Sequence, residues 1–213
     1  MAIGNSALKA EASGENNVAI GGLALYQQNG ASGNVSIGGA AGSDTTNGWG
    51  HTFIGKDAGR YNRTGLRNTC IGYQAGEGVS TNNNSDNTFL GYNTGSVVTT
   101  GGTNTFIGSQ AGEDITTGAG NVTLGYMAGE GWLDTESNLL VIDNSDTATP
   151  LIYGDFSGDT LEVNGNTTVD GTFKIEGAAN NCILTVDADG SCDAGTEIGE
   201  DNSIALCMVC AAN

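Results

Sequence analysis

Apolar and polar positions alternate in short bursts along this chain, and each burst closes on isoleucine or leucine followed by glycine. The closing pairs are Ile3-Gly4, Ile20-Gly21, Ile37-Gly38, Ile54-Gly55, Ile71-Gly72, Leu90-Gly91, Ile107-Gly108 and Leu124-Gly125. They are separated by 17, 17, 17, 17, 19, 17 and 17 residues. A period held this tightly means one short unit stacked on copies of itself. Each burst alternates over about four β-prone residues and so predicts one short strand per unit. Seventeen residues are too few for a helix pair and suit one coil of a parallel β-solenoid, an all-β fold.

The aligned units read Gly-x-x-Asn-[Val/Thr]-x-[Ile/Leu]-Gly-x-x-Ala-Gly. The asparagine recurs as Asn17, Asn34, Asn68, Asn87, Asn104, Asn121 and Asn138, with His51 in the same register. Asparagine at a fixed register predicts a side-chain ladder between coils, a structural rather than a ligand-binding role. The alanine recurs as Ala7, Ala24, Ala41, Ala58, Ala75, Ala111 and Ala128, small enough for a crowded inner corner, with Thr94 the exception. Corner glycines at Gly14, Gly48, Gly65, Gly101 and Gly118 mark turns or close backbone approach. Eight coils at the spacing of neighbouring strands make a stack about 40 Å long.

The strand has two faces. With Ile20 and its equivalents taken to point inwards, the preceding column points out: Ala19, Ser36, Phe53, Cys70, Phe89, Phe106, Thr123 and Leu140. That column is mostly apolar, and a narrow coil has no second layer to cover it. Self-association is then expected, with a homotrimer the simplest closed form and Phe53, Cys70, Phe89, Phe106 and Leu140 at the subunit interface. The array is expected to end at Asn138-Leu139-Leu140-Val141-Ile142, with Ile142 in the glycine register, as repeat arrays need atypical ends. This gives a solenoid domain over 1–142 and a β-stranded stalk or C-terminal region over 143–213. Strands are expected at Leu151–Phe156, Leu161–Asn166 and Val169–Ile175, with Asn164-Gly165 and Asp170-Gly171 as tight turns.

Composition changes this picture little. Apolar residues are 38% and net charge is −18, values that border on disorder, but the 36 glycines fall at fixed places in the period. Six basic residues against 24 acidic ones exclude binding driven by phosphate contacts, so no nucleic-acid partner is expected. No run approaches the roughly 20 apolar residues that span a bilayer, so no membrane insertion is expected. Met1-Ala2-Ile3-Gly4 has neither the basic start nor the apolar run of a signal peptide. The register is already running at Ile3, as expected of a chain that begins inside a longer one.

Candidate chemistry is sparse. Cys182, Cys192, Cys207 and Cys210 cluster near the end, and disulfides are the reading preferred for them over free thiols or a thiolate metal site, which lacks a second CxxC. Asp187-Ala188-Asp189-Gly190 has the oxygen spacing that begins a calcium loop but lacks the closing glutamate, and a strand turn is the simpler reading. His51 is the single histidine and takes the place of a ladder asparagine, so no Ser-His-Asp or histidine–metal constellation can be assembled, and no cofactor is expected. Tyr73, Tyr92 and Tyr126 share one register position and form either a stack between coils or a sugar-binding surface. Carboxylate-only glycosidase chemistry has no pair singled out for it. The insertion around Asn82-Asn83-Asn84 is the best candidate for a recognition loop.

Asn17-Val18-Ala19-Ile20-Gly21 and Asn34-Val35-Ser36-Ile37-Gly38 resemble the head repeats of trimeric autotransporter adhesins of the YadA type, which form left-handed parallel β-rolls in threefold assemblies. Asn104-Thr105-Phe106-Ile107-Gly108-Ser109-Gln110-Ala111-Gly112 resembles the repeats of phage tail fibres. The resemblance covers residues 1 to about 142. The period of 17 exceeds the adhesin repeat and implies longer loops, and no outer-membrane anchor is recognisable. What it implies is a non-enzymatic homotrimeric fibre of a virion or other extracellular particle. Its partners would be further fibre or baseplate proteins and a glycan or protein receptor on a cell surface. A bacterial surface adhesin or filament subunit is the alternative, and a polysaccharide-degrading tailspike a more distant one.

Overall fold

A computed structural model describes residues 1–79, 82–131, 133–168, 183–184 and 208–209. Among the described residues there is no helix. The strands are β1 (Ala2–Ile3), β2 (Val18–Ile20), β3 (Val35–Ile37), β4 (Thr52–Ile54), β5 (Thr69–Ile71), β6 (Thr88–Leu90), β7 (Thr105–Ile107), β8 (Val122–Leu124), β9 (Leu139–Ile142), β10 (Ile152–Asp155), β11 (Thr160–Val163), β12 (Ile183–Leu184) and β13 (Met208–Val209). Strands β1 to β9 pair in parallel, each with the next, so every rung of one sheet is supplied by one coil. The protein is a parallel β-solenoid with one three-residue strand in most coils.

The repeat glycine has two reasons to be there. Gly72 has φ +137°, in the left-handed region, and a Cβ would stand 2.1 Å from the Gly91 carbonyl oxygen of the next coil. The same crowding recurs at every repeat glycine from Gly4 to Gly125. The asparagines form the expected ladder. Each side-chain oxygen accepts the backbone N–H of the equivalent residue in the next coil, at 2.8–3.0 Å where donor and acceptor lie in asparagine-bearing coils. The amide nitrogen of Asn34, Asn87 and Asn104 donates to a corner-glycine carbonyl, Gly48, Gly101 and Gly118 respectively. One side chain thus satisfies two buried backbone groups per coil.

The core reverses the facing read from the sequence. Ala19, Ser36, Phe53, Cys70, Phe89, Phe106, Thr123 and Val141 point into the coil and are buried. Ile20 and its equivalents point out, and Leu90, Ile107 and Leu124 are exposed. The reason is the ladder: the asparagine is buried, and strand alternation places the residue two positions on with it on the inner face. Phe53, Cys70, Phe89 and Phe106 are therefore core residues and not a subunit interface. Their size is accommodated by the second glycine of the unit. A Cβ at Gly42 or Gly59 would lie 2.8 or 2.4 Å from the Phe53 ring, and one at Gly76 or Gly112 would lie 2.7 Å from Phe89 or Phe106. Where the strand offers only Ala19, that position is Leu25, which is fully buried. Phe89 and Phe106 stack at 5.1 Å between centroids.

The end of the array also differs from expectation. Leu139, not Asn138, donates to Asn121 Oδ1, and Val141, not Leu140, pairs with Thr123. Ile142 pairs with Leu124, and Asp143 takes the glycine register through its N–H to the Leu124 carbonyl. One extra residue in this coil shifts the register by one, and a one-residue shift in a strand exchanges its faces. Leu140 accordingly sits on the outer face. The sheet does not stop at residue 142 either. β10 pairs antiparallel with β9, and β11 with β10, so a hairpin covers the last coil edge. Asp155 Oδ1 ties its turn by accepting the backbone N–H groups of Ser157 and Gly158.

The chain forms two compact units, Met1–Asn166 and Thr167–Asn213. Of the second, β12 and β13 are described, as an antiparallel pair. Cys182, Cys192, Cys207 and Cys210, the expected strand at Val169–Ile175 with its Asp170-Gly171 turn, and the Asp187–Asp189 segment lie outside the described residues.

Candidate functional site

Two surfaces of the solenoid unit are candidates. The first is the outer face of the sheet. It carries Val or Thr at the first strand position and Ile or Leu at the third, from Val18 and Ile20 through Val122 and Leu124. Backbone pairing puts these in two straight rows: Val35 opposite Thr52 and Ile37 opposite Ile54, for example. Leu90, Ile107 and Leu124 remain 43%, 36% and 42% exposed. The sequence reading expected an apolar, partner-seeking column, but placed it one residue too early on each strand.

The second lies past the glycine corner, where the register position after the repeat glycine holds Lys56, Tyr73, Tyr92, Ser109 and Tyr126 in successive coils. Backbone bonds fix the alignment: Asn93 N–H donates to the Tyr73 carbonyl, Gln110 N–H to Tyr92, and Met127 N–H to Ser109, at 2.8–3.0 Å. The Tyr73 and Tyr92 rings stack at 5.6 Å and 10°. The Lys56 ammonium lies 5.2 Å from the Tyr73 ring centroid, and the Asp57 carboxylate, which hydrogen-bonds it, raises its pKa. At the next register position, Asn93 and Gln110 each donate an amide N–H to the Glu113 carboxylate, the latter at 2.7 Å.

The residues singled out for chemistry are otherwise committed to structure. His51 substitutes for a ladder asparagine: its N–H donates to Asn34 Oδ1 at 2.8 Å, and its Nδ1 accepts from Asn68 N–H at 3.2 Å. Its Nε2 lies towards the Gly65 carbonyl without reaching hydrogen-bond geometry. Burial lowers its pKa to about 4, and the ring stacks on Phe53 at 4.6 Å. Burial pushes the Cys70 thiol well above its ordinary range. Asn82 and Asn84 are buried, with Asn84 accepting from and donating into neighbouring coils. Of the expected recognition loop, Asn83 alone is exposed. Buried Gln28, Thr45 and Asn62 continue the same polar interior on that side of the stack.

Charge is distributed unevenly. Four of the six basic residues, Lys56, Arg60, Arg63 and Arg67, fall in one coil of an otherwise acidic chain. They are mostly paired locally: Lys56 and Arg60 with Asp57, Arg60 with Glu77, and Arg67 with both oxygens of Asp86 at 2.7 and 2.8 Å. Partial burial, then the nearby Glu113, Asp114 and Asp146, raises the pKa of Glu130. Among the described residues no group of three histidine, cysteine or acidic side chains is placed to hold a metal, and no helix is long and apolar enough to cross a membrane. Comparison with protein-family models, with curated proteins and with solved structures finds no match to this chain.

Proposed function

We propose that this chain is the subunit of a non-enzymatic homotrimeric fibre, of a phage tail or related injection machine, that attaches the particle to a host surface. The observation that carries the reading is the apolar outer face of the sheet. Covering the exposed two-fifths of Leu90, Ile107 or Leu124 stabilises by roughly 0.6–1.2 kcal/mol each, from the burial value of a whole side chain. Eight coils repeat such a row, enough in sum to hold chains together. A surface this regular fits a second surface of the same spacing, which another copy of the chain provides. The resemblance of the strand–glycine unit to threefold adhesin heads and tail fibres supports three copies and an extracellular or virion setting. The commitment of His51 to the ladder supports a structural rather than catalytic role.

Sedimentation and native mass measurement of the full chain test the assembly. Three times the chain mass is expected, and a monomer at micromolar concentration overturns the reading. Replacing Ile107 and Leu124 together by aspartate is expected to give monomers with an unchanged β circular dichroism spectrum. Persistence of the trimer in that variant would move the interface to another face. Antibody-gold imaging of particles from the source host tests the setting, with label expected on distal fibres.

A further inference from the structure

The tyrosine column is interrupted once, by a serine between two exposed tyrosines. Tyr73 and Tyr92 occupy adjacent coils and stack on each other. The next coil holds Ser109, half-exposed and too short to reach out beside a tyrosine ring, and the one after holds Tyr126. Tyr92 and Tyr126 are 53% and 46% exposed. Their backbone positions stand two coils apart, about 9.6 Å at the spacing of parallel strands. Carbon–carbon contacts of about 3.5–4.0 Å on two sides take up roughly 7–8 Å of that. The remainder suits a puckered ring and leaves a flat one loose.

The chemistry around the gap points the same way. Asn93 and Gln110, the residues that follow Tyr92 and Ser109, are bonded through Glu113, with both of its carboxylate oxygens already occupied by their amide N–H groups. That arrangement leaves amide carbonyls to accept from hydroxyl groups. Aromatic walls with a rim of planar polar side chains match a sugar, whose ring carries apolar C–H faces and a polar edge. Glu113 and the net charge of −18 disfavour an anionic sugar.

We propose that Tyr92, Ser109 and Tyr126 form a subsite that holds one neutral or amino pyranose ring of a surface glycan between the two tyrosines. The inference rests on the attachment reading and names its receptor chemistry. One ring binds on the order of a millimolar, and three such slots in a trimer act together on a polysaccharide.

The test is saturation-transfer NMR on the full-length protein with the methyl glycosides of glucose, galactose and N-acetylglucosamine. Methyl glucuronide serves as the anionic control and indole as the flat-ring control. Transfer to the ring protons of at least one neutral glycoside is expected, with at least tenfold weaker binding in Tyr92→Ala and Tyr126→Ala. Ser109→Tyr is the decisive variant, because tyrosine is already accommodated at this register in three coils and here would fill the gap. It is expected to keep the wild-type melting profile and oligomeric mass while losing transfer. No transfer to any glycoside, equal transfer in Ser109→Tyr, or preference for indole or the glucuronide overturns the proposal. Adsorption of labelled wild-type protein to host cells judges attachment separately. Adsorption that survives Ser109→Tyr leaves attachment standing and removes this slot as its receptor site.

Discussion

Replacing His51 by asparagine converts the one irregular rung of the ladder into a regular one, and its effect can be worked out from the structure. The neutral ring uses Nδ1 to accept from Asn68 N–H, which places its own proton on Nε2. Protonation would put a second hydrogen on Nδ1, facing that same N–H donor, inside a buried site. Burial accordingly lowers the pKa from 6.5 to about 4. With the folded value below the unfolded one, the unfolded chain binds the extra proton first. The stabilising contribution is whole above pH 6.5, is lost as pH falls towards 4, and changes no further below that. The full loss is about 3 kcal/mol, of which about 2 kcal/mol has gone by pH 5.

The 24 acidic groups also titrate as pH falls, so the difference between wild type and His51→Asn is the quantity to measure. Urea unfolding followed by circular dichroism, at one protein concentration and from pH 7.5 to 4.5, supplies it. At pH 7.5 the two proteins are expected to agree within about 1 kcal/mol, because asparagine keeps the bond from Asn68 N–H, adds one to the Gly65 carbonyl and loses the stack on Phe53. By pH 5 the variant is expected to gain about 2 kcal/mol on wild type. A difference that stays constant with pH would refute the ladder assignment of His51.

Three further outcomes follow from the interior. Phe89→Ala should cost about 3–5 kcal/mol in chemical denaturation, since the ring fills space left by Gly76 and Gly95 and stacks on Phe106. Asn104→Ala removes the bond to Asn121 N–H and the bond to the Gly118 carbonyl, and should cost about 2–4 kcal/mol, whereas Thr103→Ala at the neighbouring exposed position should change stability by less than about 0.5 kcal/mol. Cys70 should resist alkylation at pH 8 in the folded protein and react once urea unfolds it, read by mass spectrometry of the tryptic peptide; rapid native-state labelling would contradict its burial.

The period, the strand in each coil, the ladder and the glycine corners were all legible in the sequence, because each depends on local chemistry repeated at one spacing. The facing of the strands was not read correctly. Alternation defines two faces, and here both are apolar, so hydrophobicity alone does not choose between them. The choosing signal was nonetheless present. A buried asparagine shares its face with Phe89 and Phe106, and glycine stands opposite those rings where leucine stands opposite Ala19. The final coil was misread because Asn138 imitates a ladder residue while one inserted residue hands the role to Leu139. Asn82-Asn83-Asn84 looked like a solvent loop because its composition is polar. The interior on that side of the stack is polar too.

Correcting the facing leaves the inner column more varied than the outer one. Inside, the same position is alanine, serine, phenylalanine, cysteine, threonine or valine, with leucine replacing the neighbouring glycine beside Ala19. Outside, the third strand position is isoleucine or leucine in every coil, although a solvated face requires neither. The variation tolerated one residue away shows that packing inside the coil does not impose this uniformity. The proposed packing of copies against one another accounts for it, because each coil then meets the same environment as the last. A flat apolar body would reward greasiness without regular size, and a receptor at one point would constrain one coil. The proposed assembly supplies a surface matched rung by rung, that of another solenoid of this period.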